Sequence, residues 1–513
     1  MEGLRFRAPN PIDRLPMGRL ATGHHHGGAV AVVGRPGRRD RSKNVGARAM
    51  VSVTFEPRSV NPRKSKLGAR LTPEAPAPRP WVRPVALLLV GLGLGATVGV
   101  TLTAETLGEL KAPGGIAIFL GGLTGLVGMY LALVMVLLIS RIPAVERVLG
   151  LDGLVRWHRG LAPWPISLLV AHAVIITIGY AQSARAGVWH EFGTLVTGFP
   201  FMLIATVGLG FMVMAAVISI RAIRSRLRRE TWWVIHLSMY LALALSFAHV
   251  IALGPSFVGH PLTRWVWSVA WASTAGVVLV YRIGLPIFRS LRHGLRVVQV
   301  KKEAPGVTTV ICSGRNVERL AVSGGQFFSW RFLVPGMWWQ AHPYSMSALP
   351  RPPYLRLTVK NVGDHSAAVA KLRPGVRVAI EGPYGAFTRH AQRHTTAVLI
   401  AAGIGITALR ALLEDLPSSA QPVVIIRASR EEDLCFRSEV TELVKQRRGK
   451  LHELVGPRHQ VLLDRRSLPQ LVPDLLTRDV YVCGPDGFVA DVVRLVGRLG
   501  VPEEAIHHEA FSL

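Results

Sequence analysis

Two apolar segments of helix length each carry a pair of histidines, and little else so narrows what this chain can become. One segment runs from Trp157 to Ala173 and holds His158 and His172. The other runs from His236 to Val250 and holds His236 and His249. The spacings, 14 and 13 positions, are close to four helical turns, so each pair falls near one face, ~20 Å apart along the axis. That is most of a bilayer core of ~30 Å. Two such helices facing each other present two stacked His–His pairs, one toward each side of a membrane. Ionisable side chains inside lipid are costly and tend to be functional. A single histidine there also serves as a hydrogen-bonded packing residue, but matched spacing on two segments is harder to explain in that way. Neutral imidazole is a common axial ligand of haem iron, and helical bundles build cofactor sites from inward-facing side chains. Zinc would require ligands clustered within a few ångströms, and copper would favour a nearby Cys or Met.

Six apolar stretches, roughly 84–104, 114–140, 157–182, 193–220, 232–253 and 262–285, are each long enough to cross a bilayer. Basic residues concentrate in alternate loops: Arg141, Arg147 and Arg156, then Arg221 to Arg229, then Arg282 to Arg296. By the positive-inside rule these loops and both termini are cytoplasmic, so His158 and His236 form the inner pair, and His172 and His249 the outer. Arg156 and Arg159 flank His158, where they either anchor the helix end or meet haem propionates. His190 and His260 fall in outer loops. Gly91, Gly95 and Gly99 repeat at a small-xxx-small spacing and predict a helix-packing face.

The net charge of +29 invites a nucleic-acid reading. The basic residues are dispersed, however, and neither zinc-finger spacing nor an aromatic-basic RNA motif is present. Residues 1–84 hold 17 Lys and Arg against 5 Asp and Glu, and residues 1–83 read as a disordered basic tail attracted to anionic lipid. His24–His26 lies in that tail, and Met17 and Met50 are alternative starts. No apolar run follows Met1, so no cleavable signal peptide is predicted. Cys312, Cys435 and Cys483 imply no disulfide framework.

From about residue 290 the composition becomes globular. Leu295–Val300 and Tyr354–Lys360 alternate in polarity as strands of an antiparallel barrel do. Three stretches follow in order: Gly325-Gln-Phe-Phe328, His342-Pro343-Tyr344-Ser345 and Gly382-Pro-Tyr-Gly385. An aromatic followed by a hydroxyl suits a flat ring with a polar edge, and a glycine turn admits a pyrophosphate. Next, Thr396–Ala402 reads as a buried strand, Gly403-Ile-Gly405-Ile-Thr407-Ala408 as a turn, and Leu409–Leu416 as a helix. This is the arrangement that brings phosphate to a helix N-terminus. A second strand ends in Arg427-Ala-Ser-Arg430, suited to an adenosine 2′-phosphate. A third ends in Cys483-Gly484-Pro485 at the carboxyl edge, where α/β sheets bind ligands.

On these motifs residues 290–513 resemble the ferredoxin-NADP reductase superfamily. Together with the four-histidine half, residues 84–513 resemble the bacterial ferric reductase/NADPH oxidase family. The resemblance implies that Tyr344 and Ser345 hold FAD, with His342 near its phosphates, and that the Gly382–Gly385 turn closes the flavin domain. It implies that Gly403, Gly405 and Thr407 take the pyrophosphate of NADPH or NADH. It places Cys483, Gly484 and Pro485 beside the nicotinamide and Phe511 over the flavin, with Cys483 and Phe511 nearest the chemistry. Ala408 stands where the family commonly has proline.

The expected fold is a disordered tail (1–83), a six-helix transmembrane haem-binding bundle (84–288), an antiparallel β-barrel FAD domain (289–392) and an α/β Rossmann-like NAD(P) domain (393–513). The expected function is a multi-pass plasma-membrane oxidoreductase. It would pass electrons from cytoplasmic NAD(P)H through FAD and two bis-His b-type haems to an external acceptor, a ferric chelate or oxygen. A membrane-anchored flavin reductase serving a protein partner is the alternative. No nucleic-acid partner is expected.

Overall fold

The computed structural model of the chain describes residues 30–33, 51–55, 81–104, 107–149, 151–457 and 460–511. Strands β1 (Val30–Val33) and β2 (Val51–Thr54) pair antiparallel. Beyond β2, Phe55 is buried against the soluble half, as is Val53 within it. For these residues the expectation of a disordered tail is corrected, because two apolar side chains find a packing surface. His24–His26, Met17 and Met50 lie outside the described residues.

Six helical stretches have the length and apolarity to cross a membrane: Pro84–Thr103, Gly115–Leu138, Gly153–Ala184, Met202–Ser219, Glu230–Leu253 and Pro261–His293. Their helices are α1 (Val82–Ala104), α2 (Gly115–Leu138), α3 (Leu151–Leu161), α4 (Pro163–Ala184), α5 (Met202–Ser219), α6 (Arg229–Leu253) and α7 (Pro261–Val278). The pair α3 and α4 forms one span, articulated at Ala162. Lipid is as apolar as leucine, so what joins helices here is close approach rather than hydrophobic burial. That approach occurs between α2 and α4. A methyl group on Gly121 would lie 3.0 Å from Ile176, one on Gly128 3.1 Å from Leu168, and one on Gly179 2.8 Å from Ile118. The expected packing face of Gly91, Gly95 and Gly99 meets no neighbour among the described residues, where no atom lies within 4 Å of a methyl built on any of them. Spacing alone does not say which glycines meet a neighbour. On α1 it is Gly93 that does, under the Tyr130 ring, whose hydroxyl donates to Val90 O at 2.7 Å.

The last span does not stop at the membrane. Past α7 the chain continues through a π-helical turn (Leu279–Gly284) into α8 (Leu285–His293), and β3 begins at Arg296. The flavin-side module holds β3 (Arg296–Ala304), β4 (Val307–Ser313), β5 (Phe327–Phe332), β6 (His342–Ser345), β7 (Tyr354–Lys360) and β8 (Val378–Tyr384). An antiparallel barrel was expected; the strands are antiparallel and form two three-stranded sheets, β3-β4-β7 and β6-β5-β8, around one core that includes Phe328, Trp330 and Leu355. Among the described residues, isolated bridges, Arg296 to Arg377 beside β8 and Met346 just past β6 to Leu357, join the two sheets.

The C-terminal module is a five-stranded parallel sheet in the order β11-β10-β9-β12-β13. Its strands are β9 (Ala397–Ala402), β10 (Val423–Ala428), β11 (Lys450–Val455), β12 (Asp479–Pro485) and β13 (Ile506–Phe511). Every residue of β9 and β10 is buried, which is why both read as unbroken apolar runs. Alternate side chains serve opposite faces: Ala397, Leu399 and Ala401 pack toward α9 (Ile406–Asp415) and α10 (Arg437–Gln446), while Val398 and Ile400 pack toward α11 (Asp486–Arg498). This is the Rossmann-like layering expected. The winding reverses between β9 and β12, and the crevice at their carboxyl ends is where such sheets bind ligands.

Candidate functional site

His158 on α3 faces His236 on α6 with ring centres 6.3 Å apart and planes at 79°. His172 on α4 faces His249 on α6, also at 6.3 Å, with planes at 56°. Two imidazoles bound end-on to one metal at about 2.0 Å, each ring centre roughly 1.1 Å further out, are about 6.2 Å apart. Both pairs therefore have the separation that an iron between them requires. Among the described residues no three His, Cys, Asp or Glu side chains gather as a bare-ion site would need.

The surroundings fit an iron so held. The imidazole N–H at Nδ1 of His172 donates to Gly121 O at 2.7 Å, which leaves the Nε2 lone pair for a metal. A methyl on Gly125 would come 2.5 Å from that ring, so only glycine admits it. The His172–His249 pair opens on a cavity of 230 Å³ lined by residues such as Ile176, Phe199, Met202 and Ser246, with no Lys, Arg, Asp or Glu among the described residues. At the His158–His236 pair, Trp232 stacks on His236 at 5.0 Å and donates from Nε1 to Ser219 Oγ at 3.2 Å. Arg224 covers the outer face of Trp232 at 4.4 Å. Arg156 and Arg159 are exposed.

A cavity of 1240 Å³ is shared by the two halves of the chain, with Tyr240, Phe247 and Trp271 from the bundle and Ser329, Arg331 and His342 from the flavin-side sheet. β6 carries His342, Pro343, Tyr344 and Ser345. Ser345 is buried, and its Oγ has no hydrogen-bond partner among the described residues, which suits a hydroxyl that waits for a polar ring edge. His365, which the sequence reading did not single out, completes this region. Its ring stacks on His342 at 3.7 Å, and Nδ1 lies 3.1 Å from the Tyr344 hydroxyl. Burial, with His342 alongside, lowers its pKa to about 4, so it is neutral at physiological pH. The signal for it was Gly363-Asp-His-Ser366, a helix-start pattern whose Ser366 Oγ accepts from the Val362 and Gly363 amides.

The turn from Gly382 to Gly385 is tied to the bundle. Arg289 donates to Gly382 O, Arg282 lies 3.7 Å from Glu381, and Arg141 covers the Tyr384 ring at 4.3 Å. Gly385, at φ +100°, occupies backbone space closed to other residues.

At the parallel sheet, Gly403 takes φ +54°, and a methyl on Gly405 would meet the Cys483 carbonyl oxygen at 2.2 Å. These glycines bring the β9 turn against the end of β12. Thr407 is buried and its hydroxyl donates to Ile404 O at 2.8 Å, so it holds the turn together. Ala408 is fully buried. Pro485 and Phe511 are register partners across β12 and β13, which brings the Cys483–Pro485 end and the chain's aromatic terminus side by side. Cys483 is fully buried, and burial pushes its thiol well above the ordinary range. The arginines diverge. Arg427 is buried, with its guanidinium donating to Leu454 O (3.0 Å), Gly456 O (2.7 Å) and Ala428 O. Arg430 is exposed, 2.6 Å from Glu432 and 3.5 Å from Asp433.

The membrane-embedded histidine pairs and the nucleotide-type crevice together define a membrane oxidoreductase architecture. Residues 124–247 match the family model described as ferric reductase like transmembrane component, and residues 399–494 match the one described as oxidoreductase NAD-binding domain. More narrowly, the first match falls in the helical half and the second in the parallel-sheet module, the parts of an NAD(P)H-dependent oxidoreductase. It is 30% identical over 210 residues to a flavohemoprotein of Deinococcus radiodurans, covering 37% of this chain and 52% of that one. It is 27% identical over 239 residues to ferredoxin–NADP reductase B of Sorangium cellulosum, covering 42% and 96%. The chain thus spans about half the length of the flavohemoproteins it matches. The flavohem-like FAD/NAD binding domain of nitric oxide dioxygenase from Vibrio cholerae is 23% identical, at TM-score 0.37, over 43% of this chain and 100% of that one.

Proposed function

We propose that this chain carries electrons from cytoplasmic NAD(P)H, through FAD and two bis-His b-type haems, to an acceptor outside the plasma membrane, a ferric chelate or oxygen. The observation that carries the reading is the pair of equal 6.3 Å His–His separations, one above the other on the same two spans. When bound, the flavin converts a two-electron donor into single electrons, and the haem irons pass those electrons across lipid.

The chain's own residues hold, orient and exclude. His158 with His236 would hold one haem, and His172 with His249 the other. The Gly121 carbonyl fixes one ligand tautomer, and the glycines of α2 let the rings sit between helices. Tyr344 and Ser345 hold the flavin with His342 at its phosphates, and the Gly382–Gly385 turn closes that site against the bundle. Gly403 and Gly405, with the turn that Thr407 secures, take the dinucleotide pyrophosphate. Cys483, Gly484, Pro485 and Phe511 enclose the nicotinamide. Cys483 stays a protonated, compact group that shapes the crevice and holds back water, because its burial disfavours the thiolate. Arg427 shapes the adenosine end through its carbonyl contacts, and Arg430 faces the 2′ position. The basic loops and both termini lie inside.

The test is a redox-difference spectrum of purified protein with haem and flavin quantified. The expected result is a bis-His haem signature that reduces on adding NAD(P)H. Replacing His172 with Ala is expected to abolish reduction of an external acceptor while nucleotide-to-flavin transfer continues. Persistence of external reduction would overturn the layer assignment.

A further inference from the structure

Residues 53 and 55 lie far in sequence from everything they touch in the soluble half. The Val53 amide donates to Gln299 Oε1 at 2.9 Å. Val53 and Phe55 are 5% and 6% exposed, packed with Ile311 and Ala348. The Phe55 ring faces two guanidiniums, Arg351 at 5.2 Å and Arg356 at 5.1 Å, both within cation–π range.

These two arginines carry the seam between the flavin-side sheets and the parallel-sheet module. Arg351 meets Glu414 at 2.8 Å. Arg356 forks onto both oxygens of Glu439 at 2.9 Å. Arg410 also pairs with both carboxylates. A second ring, Phe436, lies 4.8 Å from the Arg356 guanidinium. Arg356 is thus approached by an aromatic from the N-terminal segment and by another from the nucleotide module.

The charges do not balance by ion pairing alone, since three buried guanidiniums share two carboxylates. Burial, followed by the nearby Arg410, lowers the Arg356 pKa. Arg351 Nε and Nη1 and Arg356 Nε are buried without a hydrogen-bond acceptor among the described residues. A buried cation left short of partners is costly, and the negative face of an aromatic ring is the kind of group that offsets it.

We propose that Phe55 is a positioning residue for nucleotide-to-flavin transfer: residues 51–55 form an intramolecular clasp that aligns the two cofactor modules by capping Arg351 and Arg356. This rests on the electron-transfer reading above. Without the ring, water reaches the ion network and salt screens it. The aligned arrangement is then less populated, and the apparent nucleotide affinity falls with that population.

The experiment uses the full chain in lipid nanodiscs, following NAD(P)H oxidation with ferricyanide at about 0.05 M and about 0.5 M salt, beside flavin content and melting temperature. Phe55→Leu is expected to raise the nucleotide KM about fivefold with kcat within about twofold, and the gap is expected to widen at high salt. Phe55→Trp is expected to keep the parent KM. Phe436→Leu, which removes the other ring, is expected to give the same KM-against-kcat split should Phe55→Leu fail to fold. A parent-like KM for Phe55→Leu at both salts would overturn the clasp. Equal KM increases in the Leu and Trp variants would also overturn it, because the ring's electrons would then play no part. A parent protein that oxidises no nucleotide would instead sink the electron-transfer reading.

Discussion

Gly125 shows how a residue with no side chain makes room for the ring of a proposed haem ligand. The space a methyl would take is filled by the His172 ring. Gly125→Ala is expected to displace that ring and lower the haem-to-flavin ratio from about two to about one, with the inner pair retained; pyridine haemochrome assay beside flavin fluorescence checks it. Glu414 sets an acid limit on the soluble half. Burial pushes its carboxyl up, but Arg410 and Arg351 override that and hold it at about 2. Its folded pKa lies below its unfolded one, so its stabilisation is fully present above the unfolded value of ~4.5 and is lost as pH falls from there through about 2. Melting temperature followed by flavin fluorescence is expected to be insensitive to this group between pH 5 and 8 and to drop steeply below about 4.5.

Among elements, the junction of β9 and β12 is the least tolerant. Gly405→Ala drives a methyl into the Cys483 carbonyl, and backbone cannot rotate away as a side chain can. Nucleotide oxidation is expected to fall about tenfold, a misfit of ~1.4 kcal/mol, while dithionite still reduces the haems fully. Elements were legible in the sequence where the signal was periodic or local. The six apolar runs, the all-buried β9 and β10, and the histidine spacings each follow from how one element meets its solvent. What escaped depended on partners distant in the chain. Gly91, Gly95 and Gly99 have the spacing of a packing face and no neighbour among the described residues, whereas Gly121, Gly128 and Gly179 have both. Arg427 looked like a phosphate ligand until β11 supplied the carbonyls that occupy it. Phe55 sits in a stretch whose composition is that of a disordered tail, and its buried position depends on arginines nearly three hundred positions later.

For the whole molecule, the orientation is open to direct test. Cys312, Cys435 and Cys483 are all buried, so cysteines introduced at exposed positions report cleanly. Trp189 is 87% exposed and Leu291 70%. With a membrane-impermeant maleimide on intact cells, Trp189→Cys is expected to label and Leu291→Cys to label only after permeabilisation. The reverse pattern would invert every inner and outer assignment made for the histidines.

The unbroken helix from Pro261 to His293 has a mechanical meaning. At 33 residues it is ~50 Å of rod, rooted among the spans at one end and gripping β8 through Arg289 and Ser290 at the other. A module on a floppy leash would have to find its docking place before every turnover. One welded to a girder keeps its standoff from the bilayer fixed, and the nucleotide module beyond it is tied in turn through Arg351–Glu414 and Arg356–Glu439.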